Sequence, residues 1–327
     1  MTPIKTEEYV RSTFSSNKIS VRAIKSQQEI AQRYPLLAAV NRASVPRHQA
    51  RVLWLEYNPA GQVEETIMLV GKGVTLDIGG LNIKTDGHMY GMSRDKCGAA
   101  AVAGFFKMLE FLKPKKVKVV GVMSMVRNDI GSDAYSCDEI LTSRSGERIR
   151  VTNTDMEGRM AMMDPLFEMK ERAKNETNPQ IYTVATLTGH AWLTVGKGYS
   201  IVLDNGPAHK AQNAHYLNFQ SERIGDIVEV SRIRREDYEY HTSKGPYEDL
   251  LQGGRKPSTK RERGHQSPAA LLILGSGLSK HGLDSEHPIK YSHIDMAGAA
   301  GVIEFPNKVP TGSPLAALAA RHIIPRV

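Results

Sequence analysis

Apolar residues gather along the chain in short runs separated by polar, Gly- and Pro-containing stretches. Compact runs at Ile67 to Val70, Val74 to Ile78, Val117 to Val126, Ile181 to Leu187, Tyr199 to Leu203 and Leu271 to Leu274 are predicted as strands. Between them, helical spacing of apolar positions covers Ala99 to Leu112, Met160 to Ala173 and Ala208 to Tyr216. Strand and helix patterns that alternate in this way predict an α/β fold. The expected form is a three-layer sandwich with a mixed, largely parallel central sheet flanked by helices, its strand ends collecting the functional loops. No internal repeat is visible.

Charges interrupt the apolar pattern in two places. In Val70-Gly71-Lys72-Gly73-Val74-Thr75-Leu76-Asp77-Ile78-Gly79-Gly80, a lysine and an aspartate enter a Gly-rich stretch, and Lys84 and Asp95 follow. Asp77 falls inside an apolar run, where a carboxylate without a partner is expensive. In Asn153-Thr154-Asp155-Met156-Glu157-Gly158-Arg159, two carboxylates and a guanidinium share five positions. If that segment is extended, Asp155, Glu157 and Arg159 point to one side, and Gly158 lets the backbone turn into the next helix. A divalent cation is the usual organiser of such acids. Each stretch alone also fits a blander form: a surface ion-pair network for the second, and a tight hairpin for the first, which lacks Walker spacing.

Together the two stretches resemble the catalytic domain of the leucine aminopeptidase (cytosol aminopeptidase) family of two-metal exopeptidases. The family motif Asn-Thr-Asp-Ala-Glu-Gly-Arg differs from Asn153 to Arg159 only at Met156, and Lys72, Asp77, Lys84 and Asp95 keep the spacing of its other metal-site motif. Thr186-Leu187-Thr188-Gly189, His293-Ile294-Asp295-Met296-Ala297-Gly298 and Thr311-Gly312 extend the similarity toward the C-terminus. The resemblance implies two divalent metal ions, Zn or Mn, bridged by Asp77 and Glu157. Lys72 and Asp95 complete one site and Asp155 the other, and Lys84 and Arg159 form the catalytic pair that binds no metal. It also implies Met92, Thr186, Leu187 and Gly189 as substrate-binding residues. A bicarbonate ion held by Arg159 is the implied general base, because every acid in the motifs is assigned to metal.

The implied reaction removes the N-terminal residue of a peptide, leucine-like by preference, through a metal-bridged hydroxide. A lysine ligates only as the neutral amine, which at neutral pH costs roughly 4 to 5 kcal/mol from a reference pKa of about 10.4. Two adjacent dications offset that cost. Lys84 is expected to stay protonated and to donate to the scissile carbonyl oxygen as negative charge develops there. Family members are hexamers, so a homo-oligomer is expected. They also carry an additional N-terminal domain. Residues 1–48 therefore read as a linker segment, with Ser26 to Ala43 as its helix, and residues 49–327 as the catalytic domain opening on a strand at Ala50 to Tyr57.

The remaining features refine this picture. With 327 residues and 40 % hydrophobic content, the chain suits a globular core. No run approaches the roughly 20 apolar residues of a membrane span. Met1 to Ser20 contains Glu7 and Glu8 and no apolar signal region, so a cytoplasmic address is expected. Two isolated cysteines, Cys97 and Cys137, suggest reduced thiols, and thiol chemistry at Cys97, beside Asp95, is expected to perturb the site. His293 and Asp295 precede the small-residue run Ala297 to Gly301 and read as a structural turn rather than ligands. The basic stretch Gly253 to Gly264 reads as a solvated loop. With a net charge of +8 and a pI near 9.3, it leaves a second hypothesis: a non-catalytic binding protein on the same scaffold, contacting nucleic acid. No aromatic residues interleave with these basic ones, which weakens that alternative.

Overall fold

A computed structural model describes residues 1–15, 17–302 and 309–327. The strands are β1 (Ile19–Ile24), β2 (Arg51–Tyr57), β3 (Glu65–Asp77), β4 (Val117–Asn128), β5 (Ile140–Thr142), β6 (Arg148–Arg150), β7 (Pro179–Ala185), β8 (Ser200–Asp204), β9 (Val228–Arg232), β10 (Leu250–Leu251), β11 (Lys290–Asp295), β12 (Gly301–Val302) and β13 (Val309–Pro310). The helices are α1 (Pro3–Thr13), α2 (Gln27–Arg33), α3 (Pro35–Asn41), α4 (Cys97–Leu112), α5 (Glu157–Ala173), α6 (Gly189–Val195), α7 (Gly206–Lys210), α8 (Asn213–Glu222), α9 (Arg235–Glu239), α10 (Gln266–Gly275) and α11 (Leu315–His322).

Eight strands form one mixed sheet in the order β1-β2-β4-β3-β7-β11-β8-β9. Its centre, β4-β3-β7-β11, is parallel, as is the pair β8-β9. β1 and β2 are antiparallel additions at one edge, and β8 runs against β11. Within the segment read from the sequence as a linker, β1 pairs along its whole length with β2 and is a strand of this sheet. Helices cover both faces. On one, α3, α5 and α10 pack Leu37, Met160, Met163 and Leu272 against Trp54, Met68 and Val70; on the other, α4 and α11 pack Phe105, Phe106 and Leu318 against Leu69, Val119 and Tyr182. β3 and β4 are buried on both faces, which is why they read as near-continuous apolar runs. The sandwich expected from the sequence is thus the fold observed.

Several elements differ from the sequence reading. Ile67 to Val70 and Val74 to Ile78 are one strand, β3, that passes straight through Gly71-Lys72-Gly73. Leu271 to Leu274 lies within α10, not in a strand; four apolar residues carry no period, and only the flanking context decides. The helix expected over Ala208 to Tyr216 is split into α7 and α8 at Gln212, whose φ of 53° is left-handed. The helix expected over Ser26 to Ala43 is two helices meeting at Tyr34, with Pro35 starting the second, where its missing N–H costs nothing. Among the described residues no helix is long and apolar enough to cross a membrane.

Candidate metal centre

The carboxyl ends of β3, β4 and β7 converge with the N-terminus of α5 on one buried charged cluster. Lys72 and Asp77 are five residues apart on β3, so strict alternation would send them to opposite faces. The register with β4 shifts between Val74, paired with Val126, and Asp77, paired with Asn128, which inserts one extra residue on β3. That bulge returns Asp77 to the face of Lys72. The segment from Asn153 to Arg159 is not extended, contrary to the sequence reading. Thr154–Met156 is a 3-10 turn capped by Asn153, whose Oδ1 accepts from Asp155 N at 2.8 Å, and Glu157 is the first residue of α5. The two motifs are clasped through Thr154. Its Oγ1 donates to Gly79 O at 2.7 Å, while Asn82 Oδ1 accepts from Thr154 N at 2.8 Å.

Two ammonium groups each sit between two carboxylates. Lys72 Nζ lies 2.8 Å from Asp95 Oδ2 and 2.8 Å from Glu157 Oε1, and donates to Thr186 O at 3.1 Å. Lys84 Nζ lies 2.8 Å from Asp77 Oδ2 and 2.6 Å from Asp155 Oδ1. Asp77 Oδ1 also accepts from Gly79 N and Asn128 Nδ2, and Asp95 Oδ1 accepts from Thr186 Oγ1 at 2.7 Å. Gly158 serves this packing rather than a strand-to-helix turn. A Cβ there would stand 2.5 Å from Lys72 Cε.

Burial and mutual repulsion set the charge states. Burial, and then the neighbouring Asp77 charge, push the Asp155 and Glu157 carboxyls up to about 7 against the pull of the lysines. Burial likewise raises Asp95 to about 6, although Lys72 opposes it. Burial disfavours both ammonium groups, yet the surrounding acids outweigh it and hold Lys72 and Lys84 above the ordinary lysine range. Three buried acids, Asp77, Asp95 and Glu157, and the half-buried Asp155 thus share two cations, leaving excess negative charge that invites more positive charge.

The residues fit a divalent metal on two further grounds. Oxygens of Asp77, Asp95 and Glu157 all lie within 4.8 Å of one another. Asp95 Oδ2 and Asp155 Oδ1 face only the ammonium groups of Lys72 and Lys84 and have no other partner among the described residues. Carboxylate oxygens with open lone pairs are the donor set of hard and borderline dications.

All eleven residues singled out from the sequence line one cleft of about 910 Å³: Lys72, Asp77, Lys84, Met92, Asp95, Asp155, Glu157, Arg159, Thr186, Leu187 and Gly189. Arg159 stands apart from the ion pairs. Its Nη1 donates to Gln252 O at 3.0 Å, its buried Nε has no partner, and burial, then Arg261, lower it to about 9. Thr186 and Leu187 lie just beyond β7, and Gly189 starts α6. Asp295 holds this loop, accepting from Leu187 N at 3.1 Å and Thr188 Oγ1 at 2.7 Å, while His293 Nδ1 meets Thr183 Oγ1 at 2.7 Å.

Three corrections and additions follow from the geometry. Cys97 is buried and burial pushes its thiol up to about 11, so it is a poor target for thiol chemistry; Cys137 is the exposed thiol. The basic loop is not simply solvated, because Arg255, Ser258, Thr259 and Lys260 form one wall of the cleft. Asn128, which donates to Asp77 Oδ1 at 2.8 Å and Thr154 O at 3.1 Å, had no motif to announce it. The available signal was its place at the end of the strand beside β3.

Fold and cluster together define an α/β protein with a carboxylate-rich cation site at the carboxyl ends of parallel strands. The model of the cytosol aminopeptidase family, catalytic domain, matches residues 1–319, and the chain belongs to that family. A Caenorhabditis elegans protein provisionally named an aminopeptidase, W07G4.4, is 48 % identical over 100 % of this chain and 62 % of its own length. The cytosol aminopeptidase of Vibrio cholerae is 35 % identical over 80 % of this chain and 47 % of its own. The chain therefore spans about half to three-fifths of the length of these relatives. Among solved structures, the bottromycin maturation enzyme BotP in complex with Mn superposes with a TM-score of 0.80 at 23 % identity, covering 98 % of this chain and 65 % of that one, which shows the shared fold.

Proposed function

We propose that this chain is the catalytic part of a two-metal aminopeptidase that removes N-terminal residues, leucine-like ones by preference, from peptides. The observation that carries this reading is the pair of triplets Asp95–Lys72–Glu157 and Asp77–Lys84–Asp155, side by side at the floor of one cleft. Bound Zn or Mn ions would supply Lewis acidity toward the peptide carbonyl and a nucleophilic water at neutral pH. Asp77, Asp95, Asp155 and Glu157 would hold them, joined by Lys72 as the neutral amine. Lys72 begins protonated in the ion pairs, so loading the site releases its proton. Lys84 keeps its proton, because Asp77 and Asp155 hold it above the ordinary lysine range, and donates to the oxygen on which negative charge develops. Arg159, through its unpartnered Nε, would hold a planar oxyanion such as bicarbonate, which would supply a proton acceptor. Met92, Thr186, Leu187 and Gly189 enclose the first side chain. Exposed Phe111, Tyr216 and Phe219 offer apolar area for the homo-oligomer, a hexamer, that the family resemblance implies.

The alternative of a nucleic-acid-binding scaffold draws no support from the geometry, since Arg255 and Lys260 face the cleft. The test is hydrolysis of leucyl amide and Leu-Gly by protein loaded with Mn²⁺ or Zn²⁺, beside Glu157→Ala. Turnover that requires metal and drops by at least about a thousandfold in the variant is expected. Equal rates in both proteins would end the proposal.

A further inference from the structure

The cleft has two electrically opposite walls. Four carboxylates, Asp77, Asp95, Asp155 and Glu157, occupy its floor, where the two lysines are already committed to them. On the rim stand Arg94, Arg255 and Lys260, none of which has a carboxylate within ion-pair distance among the described residues. Arg94 spends one donor on Gly91 O at 3.1 Å; Arg255 and Lys260 are exposed toward the cleft space. Asp86 is the acid that lines the cleft outside the floor cluster.

The loop that carries Arg255 and Lys260 is fastened at its far end. Arg263 pairs with buried Asp237 at 2.6 Å, Arg261 lies 4.6 Å from the Tyr240 ring centroid, and Gly264 packs against His190 on α6. Its cations are therefore held over the cleft rather than swept through solvent. From the sequence alone the same stretch reads as a solvated basic loop.

We propose that Arg255 and Lys260 bind the C-terminal carboxylate of short peptides, making them the preferred substrate class of this site. The inference rests on the aminopeptidase reading above. A short peptide is a zwitterion whose ammonium end suits the acidic floor and whose carboxylate end suits the basic rim. In a long peptide the terminal carboxylate lies many residues from the ammonium end, so the two charges no longer match the two walls of one cleft. Arginine and lysine on the rim act on carboxylates through charge and, for arginine, forked hydrogen bonds, and the charge attraction is screened by salt.

Binding and turnover are read separately. Calorimetry with Mn²⁺-loaded protein would compare a Leu-Gly-Gly analogue, its first peptide bond reduced to a methylene-amine, as the free acid and as the C-terminal amide. The expected result is about fivefold tighter binding of the acid at low salt, the difference fading at high salt. In Arg255→Gln/Lys260→Gln the acid-to-amide ratio falls toward one, while Arg255→Lys/Lys260→Arg, which keeps both charges, retains it. Equal affinity for acid and amide in the unsubstituted protein overturns the inference, whatever the enzyme hydrolyses. Loss of leucyl amide turnover alongside an intact acid preference would instead count against the aminopeptidase reading and leave the carboxylate subsite standing.

Discussion

At the scale of single residues, the site is decided by how closely charged groups can be packed. Gly158 is the sharpest instance. It is the second residue of α5, where alanine is favoured over glycine by at most about 1 kcal/mol, yet an alanine Cβ here would meet Lys72 Cε at 2.5 Å and Nζ at 2.8 Å. The fold can tolerate that contact because the far end of a lysine moves; the site cannot, because Lys72 is fixed between Asp95, Glu157 and Thr186 O. Gly158→Ala is thus expected to remain folded while its affinity for Mn²⁺ falls by roughly tenfold or more, measured as bound metal after dialysis. His293 is the opposite case, a polar residue whose role is structural. Burial, reinforced by His265 and Arg159, pushes its imidazole down to about 3. The folded protein therefore keeps it neutral where an unfolded histidine, with a pKa of about 6.5, takes a proton. Its stabilising contribution is present above about pH 6.5 and is lost as pH falls toward 3, with a ceiling of about 5 kcal/mol. Thermal midpoints between pH 7 and 4 should fall less steeply in His293→Gln than in the unsubstituted protein. The variant should also bind metal normally, and loss of metal would make His293 a ligand after all.

At the scale of elements, α5 joins the site to the frame. Its first residue, Glu157, brings a carboxylate to the positive end of the helix dipole. Two turns on, Asp164 accepts from Leu36 N at 2.7 Å and Arg144 N at 2.8 Å, tying α5 to the start of α3 and to the connection between β5 and β6. Burial pushes this carboxyl up to about 7 even with both donors in place. Asp164→Ala would orphan two backbone N–H groups, at a cost of roughly 2 to 4 kcal/mol, and Asp164→Asn less; urea midpoints would show the order. Elements also divide what the sequence discloses from what it hides. The α/β alternation and the spacing of Lys72, Asp77, Lys84 and Asp95 were legible because burial and charge are written into residue type. The bulge in β3 was not, since no residue between Val74 and Asp77 marks it, and without it the period of a strand separates the two residues that the site unites. Leu271 to Leu274 misled for the related reason that a short apolar run has no measurable period. Asn128 and the basic loop escaped because their roles come from neighbours distant in sequence.

At the scale of the whole molecule, the chain is basic outside the site and acidic at its centre. A net charge of +8 coexists with a floor of three buried acids and the half-buried Asp155, served by two lysines. Stability and metal binding are then linked, because a dication relieves a repulsion that folding itself creates. A ligand that binds only the folded state, present at about 100 times its Kd, adds about 2.7 kcal/mol. In a chain of this size that is a rise of several degrees in the thermal midpoint. Mn²⁺ or Zn²⁺ should raise the midpoint of the metal-free protein, and a chelator should reverse it. Asp155→Asn removes one of the repelling charges along with a ligand, so this variant should start from a higher metal-free midpoint and gain less from metal. Glu157→Ala also removes a charge, but unlike the isosteric Asp155→Asn it empties the space of a fully buried side chain, so it should not share that higher starting point in full. A midpoint indifferent to dications in the unsubstituted protein would mean that the lysines alone satisfy the floor, and that the two triplets are a finished salt-bridge network rather than a site awaiting metal.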